Sequence, residues 1–542
     1  MSTTYFTTPI YYVNDRPHVG HCYTTLVADC MARFARLGAG RGRADSVFFL
    51  TGTDEHAEKV VESAAKNAMT PLEWADRNAA EFEKAFALFG FSNNDFIRTT
   101  QPRHTEKVAR YIQQLLDSGD IELGDYEGWY DPSQEEYLTE SVAKQHEYKS
   151  PVTGRDLEKR VEQNYFFRIG KYQQRLLDHI KANPEFIQPE ARRNEVVARI
   201  EAGLNDIPVS RAIKDGDAEW GIYMPGDTGH RVYVWIDALF NYLSTVDMDD
   251  RRRYWPTPDP QGGRIVHLIA KDILWFHAVI WPCLLMALNE KLPDTVYAHS
   301  FWVREGRKMS KSLGNFIDLP TLEAYAEWDQ FGPHGLDALR YYLLTNGPIG
   351  ATDADFAHDK FVEVYNADLA NGIGNAASRV ANMINKYFDG VCPDVIEEDT
   401  PPRTATTRAL QTLNAPMCEP GEALGEALRI SNAVDEYIAE TRPFSIAKED
   451  PNDPRVAAIL YQCAEALRIA AVLLSPAMPS AMGDLLGRFG QESPAADGSF
   501  SKPLTEFCHW GGLKSGTSIE KGDPLFPRAD VAAEPPVAVP TA

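Results

Sequence analysis

Two histidines and two lysines have types and spacings that can do chemistry. His18 and His21 flank Gly20 in Thr7-Thr8-Pro9-Ile10-Tyr11-Tyr12-Val13-Asn14-Asp15-Arg16-Pro17-His18-Val19-Gly20-His21. An apolar run, a proline-punctuated turn and a helix start leave unpaired backbone N–H groups and a positive dipole end at the turn. That environment suits phosphate, and Gly20 lets a ligand approach the backbone closely. Three residues apart on a helix, the two imidazoles face the same side. Much later, Lys308-Met309-Ser310-Lys311-Ser312 sets two ammonium groups among hydroxyls in a basic, glycine-bounded loop. Two lysines on such a loop can close on a leaving pyrophosphate and neutralise it. Each motif alone also fits an ordinary helix start or a basic surface loop.

A further group is apolar or aromatic. Ile273, His277 and Trp281 follow at four-residue steps and share one helical face. Trp235, Leu239 and Tyr242 share another if their segment is helical. Aromatic walls suit a polarisable sulfur, with contacts of about 0.3–1.5 kcal/mol. A packed core explains either triplet equally well on its own. Asn375 and Arg379 are also four apart and share a face, which a solvated surface would explain.

These residues need a scaffold that brings distant segments together. After the opening turn, Leu26, Val27, Cys30, Met31, Phe34 and Leu37 recur at helical spacing until Gly38. Ser46–Thr51 reads as a short buried strand ending in Gly52-Thr53-Asp54-Glu55-His56. Helices are expected to about Asn67 and over Pro71–Phe89, then a strand at Phe96–Thr100. This alternation predicts an α/β fold with a doubly wound parallel sheet. Ligands of such sheets bind beyond the carboxyl ends of the strands, where Asn14–His21 and Thr53–His56 both fall. From about Gly119 to Phe167, acidic and aromatic residues alternate with turns and predict an antiparallel insertion. Helices follow near Gly170–Ala182 and Pro189–Ala202. The sheet is expected to resume at Arg231–Trp235 and to continue through Arg264–Ala270 and Asp294–Trp302. Beyond about Asp359 the pattern is a helix bundle, with helices at about Thr404–Leu413, Gly421–Glu440 and Pro454–Leu474. A loosely packed, Pro- and Gly-rich tail is expected after about Gly511.

Composition narrows the class. The chain has 542 residues, enough for several domains, with 54 basic and 78 acidic residues and a net charge of −24. That charge argues against nonspecific nucleic-acid binding over the whole surface, though not against a local basic track. The seven cysteines include no CxxC pair, which fits reduced thiols and offers no zinc knuckle. No charged-then-apolar leader and no apolar run of membrane-spanning length are apparent, so a soluble, cytoplasmic protein without a membrane partner is expected.

The order of His18-Val-Gly-His21, a long interval and then Lys308-Met-Ser-Lys-Ser312 resembles the class I aminoacyl-tRNA synthetases. Within that class the chain is similar to the methionyl-tRNA synthetase family. The strings Pro9–Asn14, Gly52–His56, Tyr233-Val-Trp-Ile-Asp-Ala238 and Ala270-Lys-Asp-Ile273 with Phe276-His277 and Trp281-Pro282 carry the likeness, which runs from Phe6 to about Phe526. The resemblance implies a Rossmann-type catalytic domain split by a connective insertion, followed by an all-α anticodon-binding bundle. The divisions are then 1–118 and 231–300 for the catalytic halves and 119–230 for the insertion. The lysine loop with its stem-contact region takes 301–358, the bundle 359–512 and the tail 513–542.

It also implies an activity: methionine and ATP give methionyl-adenylate and diphosphate, and the methionyl group passes to the 3′ end of tRNA(Met), initiator tRNA included. His18 and His21 would contact ATP with Gly20, while Lys308, Ser310 and Lys311 would hold its phosphates and Asp272 its ribose. Ile10, Tyr12, Trp235, Leu239 and Tyr242 would line the methionine site together with Ile273, His277 and Trp281. Asp54 would hold the substrate ammonium, a place where a helix N-cap is the competing account. Asn375 and Arg379 would read the anticodon. Relatives often carry a tryptophan after the loop proline where this chain has Arg442-Pro443-Phe444, and Phe444 can still stack on a base. The insertion has no cysteine, like the family's metal-free branch, so no structural zinc is expected; Mg²⁺ would accompany ATP. No appended domain follows Pro524-Leu-Phe-Pro527, so a monomer is expected. A synthetase for another apolar amino acid, a nucleotidyltransferase or a noncatalytic tRNA-binding protein remain the alternatives. The short insertion disfavours the first, the bundle the second and the intact motifs the third.

Overall fold

The computed structural model describes residues 3–14, 16–132, 136–138, 140–256, 263–304, 306–309, 317–394, 398–413, 419–533 and 536. Its centre is a six-stranded sheet of β1 (Thr4–Tyr12), β2 (Val47–Asp54), β3 (Asp95–Arg98), β4 (Ile187–Gln188), β5 (Arg264–Ala270) and β6 (Thr295–His299). The order is β3-β2-β1-β5-β6-β4, and every pairing is parallel. Val47–Asp54 is buried along its whole length, as a strand covered on both faces must be. The chain winds outward from β1 to β3, crosses to the far edge as β4, and returns beside β1 as β5. The topological switch point therefore lies between β1 and β5. Two apolar clusters fill the two faces of the sheet.

The parallel sheet does not resume at Arg231–Trp235. Asp227–Val232 pairs antiparallel with Ser210–Ala212 and Tyr223–Met224, and Trp235 instead lies in a short helix. Alternating apolar residues mark a strand equally in either kind of sheet, so periodicity could not decide between them. The insertion is a four-stranded antiparallel sheet of Glu136–Leu138, Ile121–Asp131, Glu158–Phe167 and Ile207–Pro208, in that order.

The helices needed for the site are α1 (Val234–Leu239), α2 (Gly374–Phe388), α3 (Pro420–Thr441), α4 (Pro443–Glu449) and α5 (Pro454–Leu474). Contrary to the sequence reading, α5 is long and apolar enough to cross a membrane by composition alone, with 21 residues and an 18-residue stretch of mean hydropathy 1.6. It is a core helix, 89% buried within the bundle. The described part of the tail, up to residue 533, is also not loose. Leu525, Phe526 and Ala529 are buried, the Asn366 amide exchanges hydrogen bonds of 2.9 and 3.0 Å with the Ala529 backbone, and Tyr365 Oη donates to Pro527 O at 2.7 Å. Proline and glycine marked the absence of regular elements there, which is not an absence of packing.

Candidate active site

The turn after β1 builds a pair of oriented histidines. His18 is the N-cap of the helix Val19–Ala39, with extended backbone. Its Nδ1 accepts from the Gly20 N–H at 3.0 Å, and His21 Nδ1 accepts from the His18 N–H at 3.3 Å. Backbone N–H groups only donate, so both Nδ1 atoms are acceptors and each neutral ring carries its proton on Nε2. Burial and the neighbouring His18 hold the His21 imidazole well below its usual pKa. The rings stack at 3.8 Å, and His21 rests against Tyr11 and Phe82 at 4.9 and 5.2 Å. Gly20 is required for a closer reason than ligand access: a Cβ there would meet His18 Cε1 at 2.8 Å and disrupt the cap.

Across the switch point, aromatic residues cluster. Trp235 stacks on Phe276 at 4.2 Å and meets Tyr12 edge-on at 5.7 Å. Ile10, Tyr12, Trp235 and Ile273 are partly exposed, whereas Leu239, Tyr242, His277 and Trp281 are buried behind them. Ile273, His277 and Trp281 do not lie on one regular α-helix. A tight turn over Lys271–Ile273 leads into a π-helical segment, Phe276–Ile280, before regular helix begins at Trp281. Such wide turns recur at functional sites. His277 Nδ1 donates to Ile273 O at 2.9 Å, so its Nε2 accepts from Tyr242 Oη at 2.7 Å. Burial lowers the His277 pKa to about 4 and raises that of Tyr242, keeping both neutral. Trp281 Nε1 donates to His267 Nε2 at 3.2 Å, and His267 Nδ1 pairs with Thr7 Oγ1 at 2.7 Å. Phe276 and His267 were not expected as site residues, although Phe276 belongs to one of the motifs that carry the likeness and His267 to the strand expected at Arg264–Ala270.

Asp54 ends β2 directly beside Tyr12 of β1 and is 2% exposed. It is not a helix N-cap; Ala57 holds that position. Its neighbour Glu55 is fully buried and takes Arg98 as an ion pair at 2.6 Å. Asp272 is exposed in the turn after β5, facing solvent at the carboxyl end of the sheet.

The lysine loop begins in a hairpin, Trp302–Arg304 with Arg307–Lys308, so Lys308 is placed by its backbone; Ser310 and Lys311 lie outside the described residues. The chain leaving that loop is joined to the histidine turn. Val19 N–H donates to Ile317 O at 3.1 Å, and His18 bridges to Asp318. The exit of the lysine loop is thus anchored to the histidine turn, while its entry is held by the hairpin and its pairing with Ala354–Asp355.

In the bundle, Asn375 is exposed on α2, and Arg379, one turn on, forms an ion pair with Asp435 of α3. Phe444 is 48% exposed at the start of α4, just past Arg442, whose φ of 49° turns the chain between helices. Among the described residues no three His, Cys, Asp or Glu side chains converge to hold a metal.

Comparison with known proteins gives one consistent result. The family described as tRNA synthetases class I (M) matches residues 4–147 and 141–381. The methionine–tRNA ligase of Bacillus subtilis is 41% identical over 98% of this chain and 79% of its own length. That of Streptomyces coelicolor is 38% identical over 97% and 96%. Among solved structures, Mycobacterium tuberculosis methionyl-tRNA synthetase in complex with methionyl-adenylate superposes with a TM-score of 0.84 at 35% identity, covering 97% of this chain and 100% of that one. The free form of the same enzyme gives 0.77 at 32% identity, covering 98% and 99%.

Proposed function

The chain belongs to the methionine-specific class I tRNA synthetases, and on that premise we propose how its residues divide the family's reaction. It is a methionine–tRNA ligase: it activates L-methionine with ATP to methionyl-adenylate and diphosphate, then transfers the methionyl group to the 3′-terminal adenosine of tRNA(Met). One methionine carboxylate oxygen attacks the α-phosphorus in line and diphosphate leaves. A hydroxyl of the terminal adenosine then attacks the acyl carbon, and AMP leaves. No protein nucleophile takes part, so catalysis is positioning and charge stabilisation.

His18 and His21 donate from Nε2 to the phosphates as charge builds on them, and Gly20 keeps their turn closed. Lys308, Ser310 and Lys311 hold the departing diphosphate, and Asp272 takes the ribose. Asp54 holds the methionine ammonium. Ile10, Tyr12, Trp235 and Ile273 touch the thioether side chain, with Leu239, Tyr242, His277 and Trp281 shaping the floor behind them. Asn375, Arg379 and Phe444 receive the anticodon, initiator tRNA included. Mg²⁺ would be held by the ATP phosphates rather than by a protein cage. No structural zinc, a monomeric state and a cytoplasmic location complete the reading.

The observation that carries it is the reciprocal histidine cap, which fixes both imidazoles with the proton on Nε2, beside an aromatic cluster at the switch point. The test is amino-acid-dependent ATP–pyrophosphate exchange, followed by charging of tRNA(Met). Exchange with methionine supports the reading. Exchange with cysteine or valine but not methionine overturns it.

A further inference from the structure

A buried three-residue network lies behind the methionine pocket and has no part in the roles above. Asp237 sits on α1, between Trp235 and Leu239, and is 1% exposed. One carboxylate oxygen pairs with His56 Nδ1 at 2.7 Å and the other with His104 Nε2 at 2.7 Å. His56 lies two residues beyond Asp54, at the carboxyl end of β2. His104 is fully buried on the helix Pro102–Asp117, and its Nδ1 reaches Ser244 Oγ at 2.8 Å, two residues beyond Tyr242. Burial alone would raise the Asp237 pKa, but the two histidines outweigh it and hold the carboxyl at about 2. Asp237 is therefore an anion with both oxygens engaged. Trp220 of the insertion closes the outer side, meeting His56 edge-on at 5.5 Å and donating from Nε1 to Glu55 O at 2.7 Å.

Resting on the methionine-ligase reading, we propose that Asp237 is a positioning residue for the amino-acid site, fixing the distance between the ammonium anchor and the thioether wall by bridging His56 and His104. The reason is geometric. Asp54 and Trp235 come from segments far apart in the chain, and the sheet's hydrogen bonds fix only the first of them. The α1 helix has six residues and no side-chain cap, so its own backbone gives it little hold on the sheet. A two-pronged charge-assisted clamp gives it one with angular precision. The histidine pair that faces ATP stands on a different helix, so the clamp acts on one substrate only.

The test is steady-state ATP–pyrophosphate exchange with Asp237→Asn, His104→Gln and the wild type, reading KM for methionine and for ATP separately. The amide cannot accept from both histidines at once, since one of its two groups is a donor. A rise of at least about tenfold in KM for methionine, with KM for ATP within about twofold, in either folded variant supports the proposal, a tenfold change being about 1.4 kcal/mol. Equal rises in both KM values, or none in either, overturn it. His104→Gln puts a neutral amide in place of the imidazole, which weakens one prong of the clamp and loses the Ser244 contact without stranding the carboxylate, and serves if Asp237→Asn does not fold; loss of folding in both variants overturns the proposal in favour of a purely structural role. Wild-type protein inactive with methionine would refute the ligase reading instead, which separates the two failures.

Discussion

The histidine cap makes a quantitative prediction. In His21→Asn the amide oxygen stands close to the former Nδ1, so it can still accept from the His18 N–H, now 3.3 Å from that ring nitrogen. The cap, worth about 1 kcal/mol, is kept. The Nε2–H is lost. A donor aimed at charge that develops in the transition state is worth about 2.7–4 kcal/mol, or about a hundred- to a thousandfold in kcat. The expectation for His21→Asn is therefore a fall of that size in the kcat of methionine-dependent pyrophosphate exchange, with little change in KM for methionine and no large change in Tm. His21→Gln, which returns an N–H near the Nε2 position but gives up the acceptor, should recover part of the rate at some cost in stability. The pH profile is a second arm. Burial and His18 hold the His21 pKa well below its usual value, so the ring is neutral on both sides of pH 6.5. Its protonation then contributes no change in rate between about pH 6 and 8. An imidazolium mechanism would instead speed the reaction as pH falls. Retention of more than about a fifth of kcat by His21→Asn, far less than the expected loss for such a donor, would refute the reasoning.

Three further outcomes follow from the same geometry. Tyr242→Phe leaves the buried His277 Nε2 without the hydroxyl now 2.7 Å away, a cost of about 1–3 kcal/mol. Exchange assays should show it as a rise in KM for methionine, with KM for ATP unmoved. Arg340 pairs with Asp29 at 2.8 Å in the core, both fully buried, and it also holds Ala477 O at the end of the bundle's long helix at 2.8 Å. Burial raises the Asp29 pKa, but Arg33 and Arg340 more than offset it and hold the group at about 2 against 3.8. That depressed pKa contributes about 2–3 kcal/mol of stability above pH 4, lost as pH falls toward 2. Arg340→Met should cost about 3–5 kcal/mol at neutral pH and move acid unfolding to higher pH in thermal melts, because it strands a buried charge. Phe444→Ala should lower kcat/KM for tRNA charging by about 1–3 kcal/mol, one stacked base, while exchange without tRNA stays unchanged.

What could be read from the sequence divides along a physical line. The two strand-to-helix turns of the first half, the helix spacing and the bundle were legible because their signals are local: a period, a cap, a proline. Helix α5 was expected at Pro454–Leu474 and lies there. Strand β4 was not legible, because two residues carry no period; only its partner β6 makes Ile187–Gln188 a strand. The π-helical segment at Phe276–Ile280 was read as ordinary helix because four-residue steps fit both geometries. The His56–Asp237–His104 clamp was invisible for a different reason. Each member looks like an unremarkable polar residue until the fold brings segments more than a hundred residues apart within hydrogen-bond reach.

That line also runs through the amino-acid pocket itself. Its apolar and aromatic walls were foreseeable from residue type; the disposition of its few polar hydrogens was not. Tyr242 has one hydroxyl proton, directed to His277, and His277 in its neutral form has one N–H, directed to Ile273 O. Trp281 gives its N–H to His267. The polar hydrogens at the floor are thus engaged by protein acceptors before any ligand enters. An amino acid with a hydroxyl or amide side chain would lose its water without finding an open donor on Tyr242, His277 or Trp281, which is costly in a buried site. A thioether loses little, since sulfur is a weak acceptor and gains most from contact with the rings. On the proposed assignment, such a floor would select against polar side chains by chemistry and separate apolar ones by size, where one methylene is worth only about 1–3 kcal/mol. On the same assignment, the placement of Asp54 relative to the thioether wall matters as much as the wall's composition, because it sets the chain length between ammonium and sulfur that the site accepts.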